Sequence, residues 1–407
     1  MTPFTSRFAG LPSKIMMAKQ LLTAALSRLQ RGGLTIIFWD GDERTFGPDE
    51  PYFTLRIKDP SVVRSLLTNV SLTLGEAYAD GRIDIEGPLT GLVRLKQENQ
   101  SALEHLFGRL PRLPRTRNTR GSQRKQIAHH YDLGNEFYAL WLDTGLTYSC
   151  AYFHSPEDTL ESAQEHKIDY VLRKLHLRPG QRLLDIGSGW GTLLLTAAEK
   201  YEVHGLGVTL SDQQLAHARE AAGRRGLSDR VRFELANYQD LPERGERFDR
   251  IVSVGMFEHV GRGNHAAYYR AVHDMLVDGG VTVLHTITHQ RETPNDPWID
   301  KHIFPGGHVP SNREIMAALP DQGLRLVDYE NLRPHYALTL AEWLRRYERH
   351  RDEVIAMFDE RFYRMWRLWL SHSTAAFRYG AIDLSQYVLT KGVTDDLPLT
   401  RHSWYRE

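Results

Sequence analysis

Residues 183–191 read LLDIGSGWG. The stretch opens as an apolar run holding one acid, Asp185, and closes on three alternate glycines, Gly187, Gly189 and Gly191. Upstream, residues 171–177 read as the end of a helix and Pro179-Gly180 as a turn. Residues 182–186 are predicted to form a short buried strand and residues 192–201 a helix, with the glycines turning the chain between them. A glycine turn at such a junction lets the backbone approach a nucleoside ligand closely. The dinucleotide fingerprint needs a further glycine three residues after Gly189, and that position is Thr192. An acid for the ribose at the end of the next strand is also missing, because residues 204–208 run into Thr209-Leu210-Ser211. A nicotinamide dinucleotide is therefore disfavoured.

Outward from the loop, further strands are expected at 231–235, 248–254 and 280–287, with helices at 213–222 and 265–276. This alternation predicts an α/β fold with a mostly parallel sheet, covered on both faces, whose ligand lies at the carboxyl ends of the strands. Asp185, Thr209, Asn237, Glu258 and His285 all fall at or just past such ends. Five polar residues at one sheet edge define a candidate site. Asp185 followed by G-x-G-x-G resembles motif I of S-adenosylmethionine-dependent methyltransferases, which implies a Rossmann-like class I domain with a seven-stranded sheet.

Seven blocks extend the resemblance: HYDLGNEFYALWLD (130–143), TYSCAYF (147–153), LLDIGSGWG, GVTLSDQQ (207–214), FDRIVSVGMFEHVG (248–261), LHTI (284–287) and DPWIDKHIFPGGHVPS (296–311). In this order they resemble the cyclopropane-fatty-acyl-phospholipid synthase family, to which mycolic acid cyclopropane synthases and fatty-acid methyltransferases are related. The likeness runs from about residue 130 to the carboxyl terminus. LGEAYADGRIDIEG (74–87) also resembles the lipid-facing amino-terminal domain of that family.

The resemblance implies transfer of a methylene group from S-adenosylmethionine to the cis double bond of an unsaturated acyl chain in membrane phospholipid. An isolated alkene is a poor nucleophile, so the donor must be an activated sulfonium. Methyl transfer leaves a carbocation, and loss of a proton from the new methyl closes the ring. Water must be kept from the cation, and a weak base must stand beside the methyl. In the family that base is thought to be bicarbonate. By resemblance it would be held by the backbone of Cys150 and Ile287 and by the side chains of Glu258, His285 and Tyr336, with its hydroxyl donating to Glu258. A related outcome, a methyl-branched or methylene fatty acid, would use the same site.

Each residue has a plainer reading. Glu258-His259 could cap the following helix. His285 and His289 lie four apart, too far along a strand to share a metal, and no third ligand is suitably spaced. Tyr336 could anchor a loop, and Cys150, the chain's single cysteine, could be a buried thiol used only through its backbone. Cofactor contacts carried over from the family are Tyr148 and Ser149 at the methionine end, Gly187 and Gly189 against its backbone, Thr209 and Gln214 at the ribose, and Asn237 and Tyr238 near adenine. The phospholipid enzymes carry Asp-Tyr where this chain has Asn237-Tyr238. Asn can still accept through its amide oxygen, so weakened rather than lost binding is expected.

Composition bounds the rest. The 407 residues suggest two or three domains. Fifty-one basic residues balance 51 acidic ones, which argues against general nucleic-acid binding. One cysteine excludes an intrachain disulfide and is compatible with a cytoplasmic setting. No apolar run is long enough to cross a bilayer, and Lys19-Gln20 splits the only early one. The expected organisation is a smaller amino-terminal α+β, lipid-associating domain (1–108), a basic linker (109–127) and a methyltransferase domain (128–407). The linker carries Arg109, Arg112, Arg115, Arg117, Arg120, Arg124 and Lys125 without an acid, suited either to solvent or to anionic headgroups at roughly 1 kcal/mol per charge. Residues 13–29 could form an amphipathic helix with Ile15, Leu22, Leu26 and Leu29 on one side, packing inward or lying on a membrane. Two short strands, 34–39 and 53–57, are expected after it, joined through Asp40-Gly41-Asp42. Residues 340–378 read as helical with an aromatic stripe of Trp343, Tyr347, Phe358, Phe362, Trp366 and Trp369, either core or acyl tunnel. Residues 382–390 read as a last antiparallel strand. The expected setting is the inner face of the membrane, peripherally bound, with a homodimer suggested by the family.

Overall fold

The computed structural model describes residues 13–100 and 133–405. The basic linker and residues 130–132 of the first family block lie outside these. The described residues divide into two compact units, one of residues 13–100, 296–302 and 348–381, the other of residues 133–295, 303–347 and 382–405.

In the first unit, β1 (Leu34–Ile37), β2 (Glu43–Phe46), β3 (Thr54–Ile57) and β4 (Ile83–Glu86) form a sheet in the order β2-β1-β3-β4. The Asp40-Gly41-Asp42 turn joins β1 to β2, closed by the Phe38 amide donating to the Asp42 carbonyl at 2.9 Å. It therefore makes a hairpin with a strand the sequence reading passed over, and β3 returns parallel to β1. The helix Ser13–Leu26 buries Leu22, with Leu29 buried just beyond its end. Part of the apolar side thus packs inward, the first of the two readings, and the large apolar residues left exposed are Met16, Met17 and Leu21. Lys19 is buried beneath it and ion-paired to Asp40 at 2.7 Å and Asp42 at 2.9 Å. The expected helix over 340–378 is three helices, Arg333–Arg349, Arg351–Met357 and Glu360–Arg378. The aromatic stripe divides with them. Phe358, Phe362, Trp366 and Trp369 pack on one another in the first unit, with centroid separations of 4.1, 5.4 and 4.9 Å. Trp343 and Tyr347 belong to the second.

The second unit is a seven-stranded sheet of β5 (Arg182–Ile186), β6 (His204–Thr209), β7 (Val231–Leu235), β8 (Phe248–Val254), β9 (Leu276–Thr288), β10 (Leu324–Asn331) and β11 (Asp383–Lys391). Their order is β10-β11-β9-β8-β5-β6-β7, and only β11 runs against the rest. Alternation along β5 explains how it is held. Leu183 faces one core layer with the helices Leu160–Leu175, Thr192–Tyr201 and Asp212–Arg224, while Leu184 and Ile186 face another with the helix His265–Met275. The strand order reverses at β5, so the carboxyl ends of β5 and β8 diverge into a crevice, the usual ligand position in such sheets. This is the class I methyltransferase fold expected from the glycine loop. Among the described residues no helix is long and apolar enough to cross a membrane.

Candidate active site

The glycine loop floors a cleft of about 1060 Å³, open solvent included, bordered by residues 145–149, Lys167, residues 185–193, Thr209, Gln214, residues 236–238 and His259. Gly187 has φ +86°, and a Cβ there would stand 2.8 Å from the Met256 Cβ; Gly191, at φ +92°, would meet the Phe233 ring at 2.7 Å. Both positions need the left-handed backbone and the missing side chain together. The upstream block is tied to the loop, because Trp190 Nε1 donates to Asn135 Oδ1 at 2.8 Å and Thr192 Oγ1 to the Gly145 carbonyl at 2.7 Å.

The residues assigned to the cofactor all border this cleft. Thr209 donates to Gln214 Oε1 at 2.7 Å, and Ser211 caps the helix carrying Gln214. Asn237 Oδ1 accepts from the Gln239 amide at 3.0 Å, so this oxygen already caps the short turn Tyr238–Asp240. Tyr148 lies among Tyr138, Trp141 and Trp343, at 5.5, 5.4 and 5.3 Å between centroids. Trp343 is therefore the member of the aromatic stripe that packs behind the cleft, against Tyr148.

One residue in the cleft escaped sequence reading. Lys167, buried on the helix Leu160–Leu175, donates to Ser149 Oγ at 2.9 Å. Burial pushes its ammonium down to about 8, against the pull of Asp143, Cys150 and Asp185. Burial also pushes the Asp185 carboxyl up to about 7, with Lys167 opposing. Nearby, Gln164 Nε2 donates to the Ser149 carbonyl at 2.8 Å. The signal was present: Gln164, Lys167 and Lys174 sit at three- and seven-residue spacings on the otherwise apolar buried stripe of that helix.

Beyond the cleft, Glu258 lies in the turn Phe257–His259 after β8, and His285 and Ile287 lie on one face of β9. The Ile287 amide donates to Glu258 Oε1 at 2.7 Å, so its N–H serves this carboxylate. Glu258 Oε2 and His285 Nε2 are both buried without a hydrogen-bond partner among the described residues. Burial pushes the Glu258 carboxyl up to about 6 and holds the His285 imidazole well below its ordinary value, with Lys167 and Lys174 adding to the latter. Tyr336 lies in the first turn of the helix Arg333–Arg349 and meets Trp343 edge-on at 6.0 Å. The same helix carries Thr339, whose Oγ1 accepts from the Ala151 amide at 3.0 Å. That bond fixes the segment of Cys150. Its thiol is fully buried, donates to the Ala151 carbonyl and is pushed up by burial, so it is no nucleophile.

Residues 118–387 match the sequence profile of the mycolic acid cyclopropane synthetase family. The chain belongs to that family. Residues 21–105 match a second profile, a domain of unknown function. A probable fatty acid methyltransferase of Pseudomonas putida is 38% identical over 383 residues, covering 92% of this chain and 96% of that protein. Cyclopropane-fatty-acyl-phospholipid synthase of Escherichia coli K12 is 39% identical over 357 residues, covering 85% and 90%. The crystal structure of mycolic acid cyclopropane synthase CmaA1 complexed with SAH and CTAB is similar at 36% identity and a TM-score of 0.62, covering 66% of this chain and 98% of that one. Family and fold together make the chain an S-adenosylmethionine-dependent methyltransferase.

Proposed function

We propose that this chain is a lipid cyclopropane synthase, converting a cis double bond of a phospholipid acyl chain to a cyclopropane at the membrane surface. The net change is addition of one methylene: the sulfonium donor becomes a thioether and one methyl proton is released. One observation carries the reading. Beside the donor cleft, Glu258 Oε2 and His285 Nε2 are buried and have no hydrogen-bond partner among the described residues, an arrangement costly to keep unless a small polar group completes it. Bicarbonate fits this set of groups: when bound it supplies a weak base, held by Glu258, by His285, by the Tyr336 hydroxyl and by the backbone of Cys150, while Ile287, assigned to the anion by the family resemblance, acts through Glu258 instead. The Ile287 amide fixes the Glu258 carboxylate. Lys167 and Asp185 orient the methionine end of the donor, and Tyr148, backed by the Trp343 and Tyr336 rings, helps to exclude water. We assign lipid association to residues 1–108 and attraction to anionic headgroups to residues 109–127.

A second reading, fatty-acid methylation to a branched or methylene product, is favoured by the Pseudomonas putida relative, similar over nearly its whole length. Incubation with S-adenosylmethionine bearing a trideuterated methyl and vesicles of unsaturated phospholipid, followed by mass and NMR spectra of the acyl chains, separates the two. Two deuteriums retained, with cyclopropane ring protons, is the expected result. Three retained would establish branching, and donor binding without lipid labelling would end the lipid reading.

A further inference from the structure

We infer that Lys174, acting through Gln386, fixes the tautomer of His285 so that an N–H rather than a lone pair faces the anion site, an inference that rests on the anion-site reading above. Both residues are fully buried. The Lys174 ammonium donates to Glu330 Oε2 at 2.6 Å and to Gln386 Oε1 at 2.8 Å. An ammonium has no lone pair, so the amide atom turned toward it must be the oxygen. The Gln386 amide nitrogen is thereby turned to His285 Nδ1, at 3.0 Å. An amide nitrogen only donates, so Nδ1 must accept, and a neutral ring then carries its one proton on Nε2. Nε2 is buried and has no hydrogen-bond partner among the described residues. The register supports the chain of bonds, since Gln386 on β11 pairs directly with His285 on β9. The Tyr170 hydroxyl donates to Glu330 Oε2 at 2.5 Å and holds the carboxylate that anchors Lys174.

Neither Lys174 nor Gln386 borders the donor cleft, so both are positioning residues. Satisfying buried polar groups would by itself account for the same bonds, and the test must therefore read the ring proton. The full-length protein labelled with ¹⁵N-histidine gives the His285 ring signals, assigned by their loss in His285→Asn. The wild-type ring is expected to show a protonated Nε2 and an unprotonated Nδ1. Gln386→Glu, whose carboxylate only accepts, is expected to move the proton to Nδ1 and lower turnover on dioleoyl-phosphatidylglycerol vesicles by about tenfold or more, with S-adenosylhomocysteine affinity unchanged. Lys174→Arg, which keeps a neighbour that only donates, is expected to preserve the wild-type pattern. Lys174→Met, which frees the amide to rotate, is expected to give mixed tautomers and provides the same reading if Gln386→Glu fails to fold. An unprotonated Nε2 in the wild type, or ring signals unchanged in Gln386→Glu and Lys174→Met alike, would overturn the inference. A tautomer that moves as expected while turnover stays constant would uphold it and remove the anion-site reading instead.

Discussion

Glu258 divides its two oxygens between different tasks. Oε1 is held by the Ile287 amide, while Oε2 is buried without a hydrogen-bond partner among the described residues, the Thr286 hydroxyl lying close to the carboxylate. Burial raises the carboxyl to about 6, so near neutral pH it is mostly the ionised acceptor, yet close to taking a proton. Glu258→Gln preserves shape and lets the amide oxygen keep the bond from Ile287, but replaces the unpartnered acceptor by a donor. Hydrogen-bond polarity at the anion site is then reversed without a cavity. Turnover is expected to fall by at least about 100-fold, in the range of general-base effects, while S-adenosylmethionine binding measured calorimetrically stays constant, because Glu258 does not border the donor cleft. Near-normal turnover would exclude this carboxylate from the chemistry.

At the scale of elements, the turn from β5 into the helix Thr192–Tyr201 holds the donor cleft and tolerates little. Gly187→Ala places a methyl 2.8 Å from the Met256 Cβ on a backbone at φ +86°. The left-handed conformation alone costs about 1–2 kcal/mol, and relief requires moving the loop. Donor affinity is expected to drop by roughly tenfold with a lowered melting temperature; unchanged affinity would show that the loop does not carry the cofactor. This turn was readable because three glycines after an apolar run leave few other conformations. β5 and β7 were likewise read to their ends, β5 as a buried run after Arg182 and β7 as Val231, Phe233 and Leu235 alternating with Arg232 and Glu234. β10 was not. It pairs only with β11 at the sheet edge, and the bulge between Leu326 and Asp328 breaks its apolar alternation into two short stretches out of step, with Leu326 and Val327 exposed. The breaks between the three carboxyl-terminal helices were also missed, since apolar periodicity continues across them. Only Asp359, whose side chain accepts from the Phe362 amide, marked a helix start. Of the site, residues at strand ends were legible, while Lys167 and Lys174 showed only as polar breaks in an apolar helix stripe and Gln386 not at all. Their role depends on which buried neighbours the fold brings near, and one polar residue in an apolar stripe does not name its partner.

Across the whole molecule, the site's buried charges work against stability. Asp185 is 3% exposed and its carboxyl stands at about 7, far above its ordinary 3.8. Below pH 3.8 both native and unfolded chains hold this proton. As pH rises, the unfolded chain releases it first, so the native state is progressively disfavoured until pH passes about 7, at a total of up to about 4 kcal/mol. Buried histidines act with the opposite sign. His259 and His265 are pushed by burial down to about 4, so between there and 6.5 acidification favours the unfolded chain, which alone binds their protons. A pH–stability curve of the wild type mixes these effects, but comparison with Asp185→Asn cancels the histidines and isolates the acid. Without donor, Asp185→Asn is expected to melt above the wild type at pH 7.5, by less than the full amount because Lys167 loses its counter-charge. The gap is expected to narrow at pH 5, where native Asp185 already holds its proton. The same variant is expected to bind S-adenosylmethionine more weakly, since the carboxylate that destabilises the empty cleft orients the donor. Equal or lower melting at pH 7.5 would mean that Lys167 compensates Asp185 fully, and that the cleft stores no such strain.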